Sequence, residues 1–279
     1  MRVGSSNRRA DPALIEEMRR SALHEAFDEQ AMPGLNSEAI DFRAASELFA
    51  PVRPLKRSDL KTLGIVTRDQ GRDVPTRGGM ILFGTGREQY FPDSWIKAGL
   101  FGGKDRREIL DNAEFRSFPV RAIDECLTFV KRNTAQALVI RGARHVAHAV
   151  VPPLAIREAV INSVVHADYS QIGAPIRVSI FTDRIEIENP GLLPFGLVLE
   201  DMHKGISKIR NRVIARVFHE LGLIEQWGSG IPRMTAACVD AGLAEPLFEE
   251  TNTTDCQQRR LQGSSICLRE RRAHVWQEC

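Results

Sequence analysis

Pro153-Leu-Ala-Ile-Arg-Glu158-Ala-Val-Ile-Asn162-Ser-Val-Val-His166-Ala-Asp168-Tyr-Ser170 is the most informative stretch of the chain, and it reads as a helix over 153–167. At about 100° per residue, Glu158, Asn162 and His166 fall within roughly 80° of one another. Ile156, Val160 and Val164 gather on the opposite side, suited to packing on a sheet. One face is thus apolar, and the other presents a carboxylate, an amide and an imidazole in a row. An ordinary amphipathic surface helix would give this pattern, although solvated faces are usually richer in Lys and Glu than in Asn and His.

Downstream, Ile176–Phe181 and Arg184–Glu188 alternate as the arms of a β-hairpin closed by Thr182-Asp183. The second arm runs into Asn189-Pro190-Gly191-Leu192-Leu193-Pro194, a stiff turn that exposes backbone groups. Helices are expected at 210–221 and 230–241, the latter opened by Trp227-Gly228-Ser229-Gly230. A glycine turn at a helix N-terminus can bring phosphate against backbone N–H groups, though such a turn is more often a plain junction.

Upstream, 36–49 and 57–64 read as short helices, Gly79–Phe83 and Trp95–Phe101 as strands, and 118–132 as a helix. Strand-like segments follow at 137–141 and 145–151. Val3–Asn7 reads as a strand end, with Asp11 capping a helix that begins at Pro12. The layout predicts a mixed α/β fold with hairpin-connected strands rather than a strictly alternating doubly wound sheet.

Composition narrows the classes. The chain has 279 residues, 43% hydrophobic and 27% charged, within the globular range. Its longest run without Asp, Glu, Lys or Arg is His145–Ile156, too short for a membrane-spanning helix, and the N-terminus lacks an apolar signal region. A cytoplasmic protein without a membrane partner is expected. The net charge of +2 does not advertise a nucleic-acid surface, and the whole excess lies in 251–279. Five scattered cysteines form no C-x-x-C and read as reduced thiols. His145 and His148 have no third ligand nearby in sequence, so structural roles are expected for them.

The order of these pieces resembles the Bergerat (GHKL) ATP-binding fold of gyrase, the heat-shock chaperone ATPases, histidine kinases and mismatch-repair ATPases. More narrowly, R-E-A-V-I-N-S-V-V-H-A-D-Y-S at 157–170 is similar to one bacterial group, as are E-I-E-N-P-G-L-L-P at 186–194, N-R-V-I-A-R-V-F at 211–218 and W-G-S-G-I-P-R-M at 227–234. That group comprises transcriptional regulators and "RecG-like" proteins that join a Schlafen/Alba-type DNA-binding domain to this ATPase. The resemblance implies an α+β sandwich with helices on one face of a mixed sheet. It implies a remnant of the DNA-binding domain at 1–35, a connecting α/β segment at 36–114, the ATP-binding domain at 115–250 and an atypical tail at 251–279. Within that tail, Ser264–Leu268 could supply a replacement strand.

Carried over residue by residue, the resemblance implies ATP and Mg²⁺ as cofactors. Asn162 matches the metal-ligating asparagine, and Glu158 the carboxylate that polarises the attacking water. Asn189 and Gly191 match the adenine-binding turn, and Gly228, Ser229 and Gly230 the phosphate-facing glycine box. Two departures stand out: Asn189 replaces the usual Asp, and Leu193 replaces the second glycine of the turn. His166 and Asp168 receive no role. A helicase motor is not expected, because a Walker A loop is absent; the nearest segment is Gly102-Gly103-Lys104-Asp105. Three readings stay open: a slow Mg²⁺-dependent ATPase in a DNA-associated regulator, a DNA-binding regulator that binds ATP without hydrolysis, and an inactive derivative. ATP, DNA through the partial N-terminal domain, and a second copy of the chain are the partners this allows.

Overall fold

Along Arg184–Pro190, buried Ile185, Ile187 and Asn189 alternate with half-buried Arg184, Glu186 and Glu188, so the strand has one core face and one wet face. The sheet around it comes from a computed structural model. That structure describes residues 2–3, 6–7, 15, 18–20, 23, 25–135, 151–194, 196–198, 201, 206, 208–225, 229–254 and 260–269. The expected strand at 137–141, all of the one at 145–151 except Val151, the Asp11-Pro12 helix start, His145 and His148 lie outside the described residues.

In chain order the elements are α1 (Phe42–Phe49), α2 (Asp59–Thr62), the hairpin β1 (Val66–Asp69) and β2 (Arg72–Pro75), and α3 (Arg77–Phe83). Then come β3 (Ile96–Phe101), β4 (Ile109–Phe115), α4 (Pro119–Ala135), α5 (Pro153–His166), β5 (Ile176–Ile180) and β6 (Arg184–Pro190). The chain closes with α6 (Arg212–Glu220), α7 (Gly230–Asp240), β7 (Leu247–Thr254) and β8 (Arg260–Arg269). Near the N-terminus, Arg2–Val3 and Ser6–Asn7 pair antiparallel.

Six strands form the main sheet in the order β4-β3-β5-β6-β8-β7. Only the β3–β5 pair is parallel, and the crossover joining these strands carries β4, α4 and α5. The fold is therefore the expected mixed α/β architecture. α4 packs on β3 and β4, α5 packs on β6, and α7 lies against α5. The opposite sheet face carries ion pairs, including Arg106 to Glu188 at 2.9 Å and Arg184 to Glu186 at 2.7 Å. Within the tail, β8 enters between β6 and β7, pairing Ser264 with Asn189 and Ile266 with Ile187. The sheet draws strands from both sides of positions 114/115 and 250/251, and one continuous core runs from Phe27 to Leu268.

Two local expectations are corrected. α5 is not an amphipathic surface helix. Ile156, Glu158, Val160, Ile161, Ser163, Val164 and Val165 are all buried, because the sheet, α4 and α7 surround it. Gly79–Phe83 is not a strand but part of α3. Thr76 caps this helix by accepting the Gly79 N–H at 3.0 Å, and Gly78 through Phe83 are buried on every side. A short apolar run cannot distinguish a buried strand from a buried helix.

The segment before α1 joins the core through one carboxylate. Asp28, fully buried, accepts the backbone N–H groups of Arg212 at 2.9 Å, Val213 at 2.7 Å and Ile214 at 3.0 Å. These donors open α6 and have no partner within their own helix. Asn211, also buried, donates to the Val165 and Ala167 carbonyls, both at 2.8 Å, fixing the start of α6 to the end of α5. Cys126, Cys238 and Cys267 are buried free thiols, and burial pushes Cys126 up to about 12, far from thiolate chemistry.

Candidate functional site

Helical spacing sets Glu158, Asn162 and His166 one above another on α5, and the N-terminus of α7 arrives against the first two. A Cβ at Gly230 would lie 2.9 Å from Glu158 Oε2 and 3.7 Å from Asn162 Nδ2, so a larger residue there would have to displace the Glu158 carboxylate. Glu158 is nearly buried, and its Oε1 accepts from Arg233 Nη2 at 2.8 Å, with Arg157 Nη1 at 3.6 Å. Arg233 also binds Glu225 Oε1, whose other oxygen accepts the Ser229 hydroxyl at 2.6 Å.

These groups border a cavity of about 730 Å³. It takes in Glu158, Asn162, His166, Asn189, Ser229 and Gly230, within the size range of small-molecule sites. Its wall is mixed: Arg157, Lys208, Arg212, Arg216 and Arg233 contribute cationic groups, while Leu192, Pro194, Ile206, Phe248 and Ile266 contribute apolar surface. Cationic side chains suit a polyanion, and apolar walls suit a flat heterocycle. Asn189 reaches the wall from the end of β6, where its Oδ1 accepts from Ser264 Oγ at 3.3 Å.

Gly191 does not border the cavity. It turns the chain with φ +99°, and a Cβ there would meet Asp168 Cβ at 2.7 Å and Arg210 Nη1 at 2.9 Å. It therefore makes room for the buried pair Arg210–Asp168, 3.6 Å apart, whose arginine also binds the Leu192 carbonyl. Gly228 lies outside the described residues. The Gly102-Gly103-Lys104-Asp105 segment is in the β3–β4 connection, not between a strand and a helix as a phosphate loop requires.

Burial, reinforced by the nearby Arg210 guanidinium, pushes the His166 imidazole down to about 4, so the cavity wall carries it neutral at pH 7. Between that value and the ordinary one near 6.5, the unfolded chain holds a proton that the folded chain lacks. Stability from this group is thus complete above about 6.5 and falls as pH drops toward about 4. His166→Gln is expected to remove this contribution from the pH dependence of stability measured by denaturant titration between pH 4 and 7, and a profile identical to the wild type's would refute the depressed pKa.

Residues 173–255 match an ATPase-like family. Its description reads "Putative ATP-dependent DNA helicase recG C-terminal". The matched span holds β5, β6, α6, α7 and β7, and begins after α5 with its Glu158 and Asn162. No curated protein matches. The crystal structure of the DIP2311 protein from Corynebacterium diphtheriae superposes with a TM-score of 0.66 at 20% identity, over 98% of this chain. At that identity the likeness is one of fold, and the chain spans about half (53%) of that protein. The family match supports a nucleotide-binding role.

A bound Mg²⁺ would suit what stands here. It takes few protein ligands and keeps several waters and phosphate oxygens, so the Asn162 amide oxygen is an adequate protein contribution. Among the described residues no group of three His, Cys, Asp or Glu is placed to hold a metal by itself. No helix among them is long and apolar enough to cross a membrane. Sequence reasoning missed Arg233, Glu225 and Asp28. Arg233 had one local signal, its place three residues after Gly230 on the first turn of α7.

Proposed function

We propose that the α5–α7 cavity binds Mg²⁺-ATP, with Asn162 contributing to the metal and Ser229-Gly230 at the α7 N-terminus facing the phosphates. The observation that carries this reading is the meeting of Glu158, Asn162 and Gly230, from two helices, in one cavity with five cationic side chains on its wall. Asn189, at the end of β6, is the proposed acceptor for the adenine amino group. It offers an amide oxygen without the charge of an aspartate. The Gly191 backbone shapes that turn without touching the ligand, and Gly228 is assigned to the same phosphate-facing turn by resemblance alone.

The chemistry a Mg²⁺-nucleotide brings to such a site is hydrolytic cleavage of its terminal phosphate bond, with the metal offsetting charge. Glu158 is the one carboxylate of α5 on the cavity wall and the proposed base for a water proton. Its ion pair with Arg233 at 2.8 Å engages the oxygen that would take the proton, which favours binding with slow turnover over fast hydrolysis. Service in a DNA-associated regulator, with 1–35 as part of a DNA-binding domain, is proposed on the sequence resemblance alone. Salt-dependent retardation of duplex DNA would support it, and no retardation at low salt would count against it.

Thermal unfolding with and without Mg²⁺-ATP tests the nucleotide site. At a concentration of about 100 times Kd, the ligand is expected to add about 2.7 kcal/mol to the wild type. Asn162→Ala, half-buried at the cavity wall, is expected to fold normally and lose most of that gain. No gain in a cooperatively folded wild type would overturn the assignment.

A further inference from the structure

The carboxylate proposed as a base is not free. Glu158 is 5% exposed, and Arg233 Nη2 holds its Oε1 at 2.8 Å. Arg233 is itself held from the far side by Glu225, which Ser229 Oγ orients at 2.6 Å. The guanidinium thus bridges two carboxylates on the first turn of α7, directly beside the glycine where a phosphate is expected. Its side chain is 37% exposed, whereas that of Glu158 is 7% exposed, so the arginine is the partner able to move. Arg157, at 3.6 Å, stays near Glu158 as a second and weaker neutralising charge.

We infer that Arg233 is a positioning residue and a sensor of the terminal phosphate. Without nucleotide it neutralises Glu158. When a nucleoside triphosphate enters, the guanidinium transfers from Glu158 to the added phosphate and leaves the carboxylate available for a water proton. Arginine suits the exchange because its planar fork binds carboxylate and phosphate with the same geometry. No bond forms or breaks in this step; one charge-assisted contact replaces another. The inference rests on the nucleotide reading above. It adds that discrimination of triphosphate from diphosphate lies in a single side chain in competition with Glu158.

The competition gives a result that a merely structural arginine would not. Affinities of Mg²⁺-ADP and of the non-hydrolysable imido analogue of Mg²⁺-ATP are measured by calorimetry on the full chain. The wild type is expected to favour the triphosphate analogue. Arg233→Ala is expected to lose about tenfold or more of that preference while ADP affinity changes little, and Arg233→Lys to recover part of it. Glu158→Gln frees the guanidinium in advance and is expected to bind the analogue more tightly than the wild type. The double variant Glu158→Gln/Arg233→Ala is expected to lose that gain. It also removes the worry that Arg233→Ala strands a buried carboxylate and unfolds.

If the wild type binds nucleotide and the triphosphate preference survives in the double variant, the sensor inference is overturned and the nucleotide site stands. A Glu158→Gln variant no tighter than the wild type overturns it as well. Absence of any nucleotide binding to a folded wild type overturns both readings.

Discussion

Asp28→Ala is expected to destabilise the protein by about 3–5 kcal/mol, a large share of the 5–15 kcal/mol typical of a domain. The carboxylate accepts three consecutive N–H groups at the start of α6, and it is completely buried, so water cannot replace it. Each stranded donor costs about 1–3 kcal/mol, with less than full additivity. Asp28→Asn keeps one acceptor oxygen and turns an NH₂ toward the remaining donors, so its cost is expected to be smaller. Urea titration of the three proteins checks the order, and equal midpoints for wild type and Asp28→Ala would sink the idea.

The same residue makes a distinct mark on pH dependence. Burial pushes the Asp28 carboxyl from its ordinary 3.8 up to about 7, against the downward pull of the three N–H groups. Between those values the folded chain holds a proton that the unfolded chain has released, so stability falls as pH rises through this window. Asp28→Asn is expected to remove this contribution and leave the opposite trend of His166. His166 acts in the opposite sense over much of the same range, so the wild-type profile is the difference of two trends that the single variants separate. A slope unaffected by Asp28→Asn would show that its carboxyl titrates normally.

Gly79→Ala is expected to cost about 3 kcal/mol or more, although alanine in a helix is ordinarily better than glycine by about 0.5–1 kcal/mol. A Cβ at this position would stand 2.0 Å from the Ile65 carbonyl oxygen and 2.8 Å from its carbon. Both atoms are backbone, so α3 must move away from the β1–β2 hairpin. That carbonyl already accepts the Thr76 N–H at 3.0 Å, and Thr76 caps α3, so the displacement disturbs the cap too. Gly34→Ala, where an added Cβ meets nothing within 4 Å, is the control. Its expected effect is neutral, or stabilising by up to about 1 kcal/mol through the unfolded state. Denaturant midpoints decide it, and parity between the two variants would refute the close approach.

Local patterns carried much of this fold into view. The 3.6-residue period of 153–166 and the alternation of 176–180 and 184–188 are properties of neighbouring residues. They point to α5, β5 and β6 without reference to any packing partner. The same period set Glu158, Asn162 and His166 in line. It left open whether that line faced solvent, because amphipathicity does not say how many neighbours a helix has. Packing on α4, β6 and α7 encloses the helix that carries Glu158, and a residue 75 positions away neutralises it.

What the tertiary structure decided is therefore long-range contact. Arg77-Gly-Gly-Met-Ile-Leu-Phe83 suits a strand or a buried helix equally, and the Thr76 cap with the Gly79–Ile65 approach selects the helix. An aspartate between Phe27 and Glu29 carries no sequence signal at all, since the donors it satisfies lie 184 to 186 residues along the chain. The amino-acid sequence by itself determined which residues could meet on one helix face. Only the folded chain decided which partners met them, because hydrogen bonds, ion pairs and close glycine contacts are set by distance in space and not by spacing along the chain.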